Sequence, residues 1–172
     1  MRVILGTLII FILLFAFTRK IYSESPYVLP YPSDMPGSVF YKLDLIKENI
    51  LKYWYFGNFG QFSYNLKMAD KYLVEAKTLF EYRQYLLGLQ ALGKSNLYFK
   101  QVYPNLVKAE KANKNIQNNL RIFKEASSKH IEVLNNIKVP EIFVWAPEKA
   151  MSTKLYLGNA IGGAVKIRSK NL

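Results

Sequence analysis

One row of residues limits this chain more than any other feature. Phe62, Leu66, Ala69, Leu73, Ala76 and Phe80 recur in alternating steps of four and three. Only a helix puts such positions on one side, and the alternation is that of a seam packed against a second helix. Lys67, Lys71, Glu75 and Lys77 fall on the other faces. Lys71 and Glu75 form an i,i+4 pair worth about a few tenths of a kcal/mol. Ala69 and Ala76 leave room for a neighbouring backbone. The fold class that follows is all-α, an antiparallel bundle of about four helices.

The other helices are read around that seam. Ser38 follows Pro36-Gly37 and suits a helix cap. From there Phe40, Leu43, Ile46, Ile50 and Trp54 form one apolar face, so a helix from about 38 to 56 is expected to turn that face inward. Gly57-Asn58-Phe59-Gly60 breaks it. After a break near 81–84, a third helix is expected from about 85 to 102, with Leu89, Leu92, Phe99 and Val102 inward. Pro104 then kinks or restarts the chain. A fourth helix is expected from 105 to 137, with Ala109, Ala112 or Asn113, Ile116, Leu120, Phe123, Ser127, Ile131, Leu134 and Ile137 on its packed face.

Both ends read differently. Residues 3–18, VILGTLIIFILLFAFT, are uncharged, with Arg2 before them and Arg19-Lys20 after. A helix of that length rises about 24 Å, short of the roughly 30 Å of a bilayer core. Ile21 and Tyr22 extend it if the basic pair snorkels. A signal anchor or signal peptide over 1–22 is expected, the uncleaved anchor being favoured because Pro26 follows the best-spaced cleavage site. Residues 23–37 carry four prolines and read as an extended tether, from which Tyr27, Leu29 and Tyr31 could pack back on the body. The bundle domain is placed at 38–137. Residues 138–172, proline-flanked and then glycine-rich, read as a basic, partly disordered tail ending in Lys166, Arg168 and Lys170.

Composition excludes several chemistries. The chain of 172 residues has no cysteine, so thiol nucleophiles, disulfides and thiolate-held metals are out. His130 is the single histidine and cannot build a multi-histidine site. No Walker, GxGxxG, HExxH or GxSxG motif is present. Lys and Arg number 24 against 12 acids, for a net charge of +12. Such a surplus suits an anionic partner.

Three segments are similar to a known family. Tyr27-Val28-Leu29-Pro30-Tyr31-Pro32, the stretch PGSVFYKLDLIKENI at 36–50 and LKMADKYLVEA at 66–76 resemble the bacterial domain family of unknown function numbered 5667. That family's pattern is a proline-rich lead, LP-x-SP-x-Y-x-LK, and then a helix bearing A-x-x-RL-x-E. Asp34 to Ser38 with Tyr41-Lys42-Leu43 match the first part loosely. Ala69, Lys71, Tyr72, Leu73 and Ala76 match the second, with Lys71-Tyr72 in place of the commoner Arg-Leu neighbourhood. The likeness covers about residues 27–137. Gly57 to Gly60 departs from the family's Asp-Pro linker. The resemblance implies a secreted or membrane-tethered helical domain and brings no catalytic residues.

Candidate chemistry is sparse. His130 with Glu125 or Glu132 is the imidazole–carboxylate option, but offsets of five and two set neither acid over the ring, and a packing role is favoured. Asp44 and Glu48, at i,i+4, could share a divalent ion, but Lys47 and Lys52 stand close. Asp70 and Glu75 do not face each other. Arg83, Arg121, Tyr85, Tyr98 and Tyr103 lie in the basic stretch 61–137, yet interspersed acids argue against a nucleic-acid groove. Tyr53, Trp54, Tyr55 and Phe56 either bury in the bundle or dock on a lipid interface. No catalytic, cofactor-binding or metal residue is assigned.

The function expected from these features is a non-catalytic, membrane-tethered extracytoplasmic structural or interaction module of the cell envelope. It would be held through residues 3–22 and would contact anionic lipid, wall polymer, an envelope protein or its own copies. The alternatives are a secreted binding protein for an anionic ligand, such as lipid head groups or wall polymer, and an enzyme with an unrecognised site.

Overall fold

The computed structural model describes residues 25–32, 35–147 and 151–172. The described chain forms five helices and one hairpin. In order these are α1 (Val39–Trp54), α2 (Gly57–Glu81), α3 (Tyr85–Lys111), α4 (Gln117–Asn136), β1 (Ile142–Trp145), β2 (Thr153–Tyr156) and α5 (Leu157–Ser169). The expected four-helix fold behind a transmembrane or signal helix is therefore corrected to five helices and a two-stranded sheet.

The seam of α2 behaves as its spacing demands. Phe62, Leu66, Ala69, Leu73, Ala76 and Phe80 are all buried, and α3 packs along them. Gly88 of α3 makes the close approach possible, since a Cβ there would lie 2.7 Å from the Phe80 ring. The chain enters α2 through a sharp turn. Gly57 takes φ of 74°, and a Cβ on Gly60 would stand 2.8 Å from the Tyr55 carbonyl carbon. The glycine-rich break is thus the start of the next helix.

Pro104 does not end α3, which continues to Lys111. The missing N–H leaves the Lys100 carbonyl without its helical donor, but Lys100 lies on the exposed side, where water can serve it. Meanwhile Val102, Leu106 and Ala109 extend the buried row. The real break falls after Lys111, where Asn113 adopts φ of 55°, a conformation asparagine tolerates. Helix α4 is consequently shorter than the expected 105–137. Its buried row is Phe123, Ala126, Ser127, His130 and Leu134; Ile131 is only half-buried.

Residues 138–147 and 151–172, read as part of a basic, partly disordered tail, form a hairpin and a helix. Strands β1 and β2 pair antiparallel, Phe143 opposite Leu155, and α5 packs on α3 and α4 through Leu157, Ala164 and Arg168, each fully buried. Of the glycines read as flexible, Gly158 instead admits a close contact, while Gly162 and Gly163 face open space within α5. At Gly158 a Cβ would meet the Glu141 carboxylate, while the Gly158 N–H donates to the Glu141 carbonyl at 3.3 Å.

Residues 25–32 run extended over the body. The Ser25 hydroxyl donates to the Glu125 carbonyl at 2.7 Å. Tyr27 and Leu29 pack on the core, whereas Tyr31 is exposed.

The core has two apolar clusters. One holds Leu73, Ala76, Phe80, Leu92, Leu134, Leu155, Leu157 and Ala164. The other holds Phe62, Leu66, Ala69, Phe99, Leu106, Phe123 and Ala126. Between them, each helix from α2 to α5 contributes one polar residue at the same level: Asp70 on α2, Ser95 on α3, His130 on α4 and Arg168 on α5, all buried.

The spanning expectation meets a different finding. Among the described residues no helix is long and apolar enough to cross a membrane. The two longest, α2 and α3, carry charged side chains along their length (Asp70, Lys71 and Glu75; Lys94, Lys100 and Lys108), which hydrocarbon does not accommodate. Residues 3–22, on which the anchor or signal segment was placed, lie outside the described residues. The single-pass topology, the extracytoplasmic tethering and the membrane contact through 3–22 therefore have no basis in the described fold and are set aside.

Candidate functional site

The buried polar layer is the densest concentration of chemistry. His130 Nε2 lies 2.7 Å from Asp70 Oδ1. On the other side of the ring, Arg168 Nε donates to His130 Nδ1 at 3.0 Å. A guanidinium Nε always carries its proton, so Nδ1 is the acceptor and the ring proton sits on Nε2, directed at Asp70. The imidazole is neutral. Burial points the same way, holding His130 below its usual value against the raising effect of Asp70.

Arg168 makes three further hydrogen bonds. It donates to Asn96 Oδ1 at 2.6 Å, to the Ala164 carbonyl at 3.0 Å and to Ser95 Oγ at 2.8 Å, and its Cζ lies 4.9 Å from the Phe99 ring centroid. Ser95 in turn donates to the Ala69 carbonyl. Burial pushes the guanidinium down to about 10, which leaves it charged at neutral pH. The second Asp70 oxygen accepts from the Tyr27 hydroxyl at 2.6 Å, and burial followed by the nearby carboxylate pushes that phenol up. The chain Tyr27–Asp70–His130–Arg168 is charge-balanced and hydrogen-bonded throughout. It resembles a catalytic dyad in composition only: both ring nitrogens are occupied, and the ring has no exposed surface.

The sequence-level partners of His130 lie elsewhere. Glu125 pairs with Arg121 at 2.8 Å and Glu132 with Lys129 at 2.7 Å. Asp70 and Arg168, its true partners, sit 60 and 38 residues away. The one signal for Asp70 was a charged residue beside the seam position Ala69. Arg168 gave none, sitting in a stretch read as tail.

A second cluster joins α1 to α2. Asp44 and Glu48 come together as their spacing suggests, but the cation between them is the Lys71 ammonium, at 3.1 and 2.6 Å. Burial opposes that charge; hydrogen bonds to Glu48 and Asp44 outweigh it and raise the Lys71 pKa. Glu48 Oε2 accepts from Tyr72 at 2.6 Å. Glu75 Oε1 accepts from Tyr41 at 3.2 Å, while its buried Oε2 has no hydrogen-bond partner among the described residues. Burial accordingly pushes Glu75 up and pushes the Tyr41 phenol up to about 12. Lys94 lies over the Tyr72 ring at 4.8 Å. Among the described residues no group of three or more His, Asp or Glu could hold a metal ion.

The third feature is a surface. The inward side of α1 is this polar cluster, and Glu48 is its one buried residue. Phe40, Leu43, Ile46, Ile50 and Trp54, expected to pack inward, face out; Trp54 is 76% exposed and Ile50 62%. Tyr53 and Phe56 are exposed as well, while half-buried Tyr55 stands 6.0 Å from the Tyr64 ring. The helix is inverted because α2 offers it Lys71, Tyr72 and Glu75, which attract carboxylates and a phenol rather than aliphatic side chains.

The candidate nucleic-acid aromatics are absorbed by packing: Tyr98 stacks on Tyr72 at 5.8 Å, Tyr85 packs on Phe143 and Tyr103 on Phe123. Arg121 is paired with Glu125, and exposed Arg83 follows Tyr82, the C-cap of α2, with φ of 59°.

No family model, no curated protein and no solved structure matches this chain. The resemblance to family 5667 rests on the quoted motifs alone.

Proposed function

We propose that this chain is a non-catalytic binding protein for an anionic ligand carrying closely spaced phosphate or carboxylate groups, of the kind found in lipid head groups or wall polymers. One observation carries the reading: among the described residues most acids are engaged by the chain's own side chains, and only Glu110 and Glu141 stand exposed without an ion pair. Among the described residues Asp44, Glu48, Glu81, Glu125 and Glu132 pair with Lys71, Lys77, Arg121 and Lys129, Asp70 binds His130 and Tyr27, and Glu75 binds Tyr41. Lys42, Lys47, Lys52, Lys100, Lys108 and Lys124 are exposed without an ion pair among the described residues. The field that reaches solvent is therefore positive, and it attracts anions over roughly a Debye length of about 8–10 Å. The reading needs no spanning helix. A non-catalytic role is supported by the enclosure of His130, whose two nitrogens already have partners.

The test is binding of the full chain to phosphatidylglycerol-containing vesicles and to a soluble polyphosphate, each against a neutral counterpart, across a salt series. The expected result is preference for the anionic member that fades as salt rises. Equal binding to charged and neutral surfaces at low salt would overturn the proposal. The vesicle and polymer arms separate the two ligand sources.

A further inference from the structure

The inverted helix α1 names a place for that ligand. At about 100° per residue, Tyr53, Ile46, Val39, Ile50, Leu43 and Trp54 fall within an arc of about 100°, and all six are exposed. Lys42 and Lys47 stand at its two borders, and Phe40 lies just beyond Lys47. A water-facing arc of this kind is the sign of an interface awaiting its partner. We propose that α1 docks flat on an anionic lipid surface, its apolar arc among the acyl chains and its bordering lysines at the level of the phosphates. The proposal rests on the anionic-ligand reading above and adds the surface and the lipid class.

Charge decides the occupant. The outward arc carries no acid, because Asp44 and Glu48 are spent on Lys71 beneath the helix. A second copy would set lysine against lysine. The uncharged run 3–18 would cover the arc and leave Lys42 and Lys47 without counterions. An anionic lipid surface meets both requirements, apolar depth below and phosphate at the rim, which is the arrangement of an interfacial amphipathic helix. With 16 residues and a length of about 24 Å, α1 lies on such a surface and does not cross it. Lysine stems reach from the helix flank to the phosphates by snorkelling. The aromatic ring of Trp54 belongs at the same level.

The sequence has two tryptophans, Trp54 and Trp145, so the full chain with Trp145→Phe reports on α1 alone. It is mixed with vesicles of equal phosphatidylglycerol and phosphatidylcholine, and with phosphatidylcholine alone. Sedimentation reads binding, and Trp54 emission with a lipid brominated along its acyl chain reads insertion. The expected result is a shift of Trp54 emission to shorter wavelength with quenching, on the anionic vesicles. Adding Ile46→Lys with Ile50→Lys, both at exposed positions, removes the shift and leaves the melting temperature unchanged.

Sedimentation with the anionic vesicles while Trp54 stays in water overturns the role of α1 and leaves the anionic-ligand reading standing. No preference for the anionic vesicles overturns the reading beneath it. Blue-shifted Trp54 before any lipid is added overturns the proposal too: in a dimer the occupant is a second copy, and in a monomer it is the run 3–18.

Discussion

Arg168 Nε donates to His130 Nδ1 at 3.0 Å, and this contact fixes the imidazole in its neutral form with its proton on Nε2, donated to Asp70. It also ties α5 into a layer that reaches, through Asp70, to Tyr27 near the other end of the described chain. The layer sits where the two apolar clusters meet and links the extended stretch 25–32 and α5 to the helices between them.

Replacing Arg168 with Met leaves Asp70 buried beside a neutral ring. The expected loss is about 3–5 kcal/mol, the usual consequence of removing one member of a buried charge pair. Urea unfolding reads it. Adding Asp70→Asn should recover part of the loss. Strictly additive effects would mean that the two charges do not communicate.

His130 makes stability depend on pH in a definite direction. Burial lowers its folded pKa, so the unfolded chain takes up the proton first. The contribution is fully present above the unfolded value of about 6.5 and is lost as pH falls toward the lower folded value. Unfolding free energy should therefore drop between about pH 7 and pH 5, above the carboxylate range. His130→Gln, less stable overall, should show a flatter profile in that window. An unchanged slope would assign the dependence to other groups.

Glu75 has the opposite sign. Burial raises its folded pKa, so its protonated form favours the fold at low pH, and that contribution is lost as pH rises through the folded value. Glu75→Gln should gain on the parent between pH 4 and pH 8, reaching about 1 kcal/mol at the upper end. Denaturation midpoints at the two pH values measure the gap. A constant difference would show that folding leaves the Glu75 pKa unshifted.

Three glycines should separate cleanly. Gly60→Ala presses a Cβ against the Tyr55 backbone at 2.8 Å and should destabilise by about 2 kcal/mol. Gly158→Ala meets a flexible Glu141 side chain and should be milder. Gly93, inside α3 with nothing within 4 Å, should gain about 0.5–1 kcal/mol on becoming Ala. Melting temperatures order the three.

Much of the helical framework was legible before any coordinates. The seam from Phe62 to Phe80 specified α2 and its packing, and Ser38 caps α1 as its position suggested, accepting from the Phe40 N–H. Such features depend on residues three or four apart, and local periodicity records them. What the sequence could not decide is which face of a helix meets water. The apolar row of α1 had no inward destination because the surface opposite it, Lys71, Tyr72 and Glu75, is polar, and that opposition exists only after α2 has packed on α3. In the same way Asp70, His130 and Arg168 become one layer only when three helices from distant parts of the chain converge. Gly158 reads as a loosening residue in the sequence, and only its close contact with Glu141 in the folded chain gives it a use. Periodicity determines that a segment is a helix. The identity of its neighbours, a long-range property of the folded chain, determines what that helix presents and to whom.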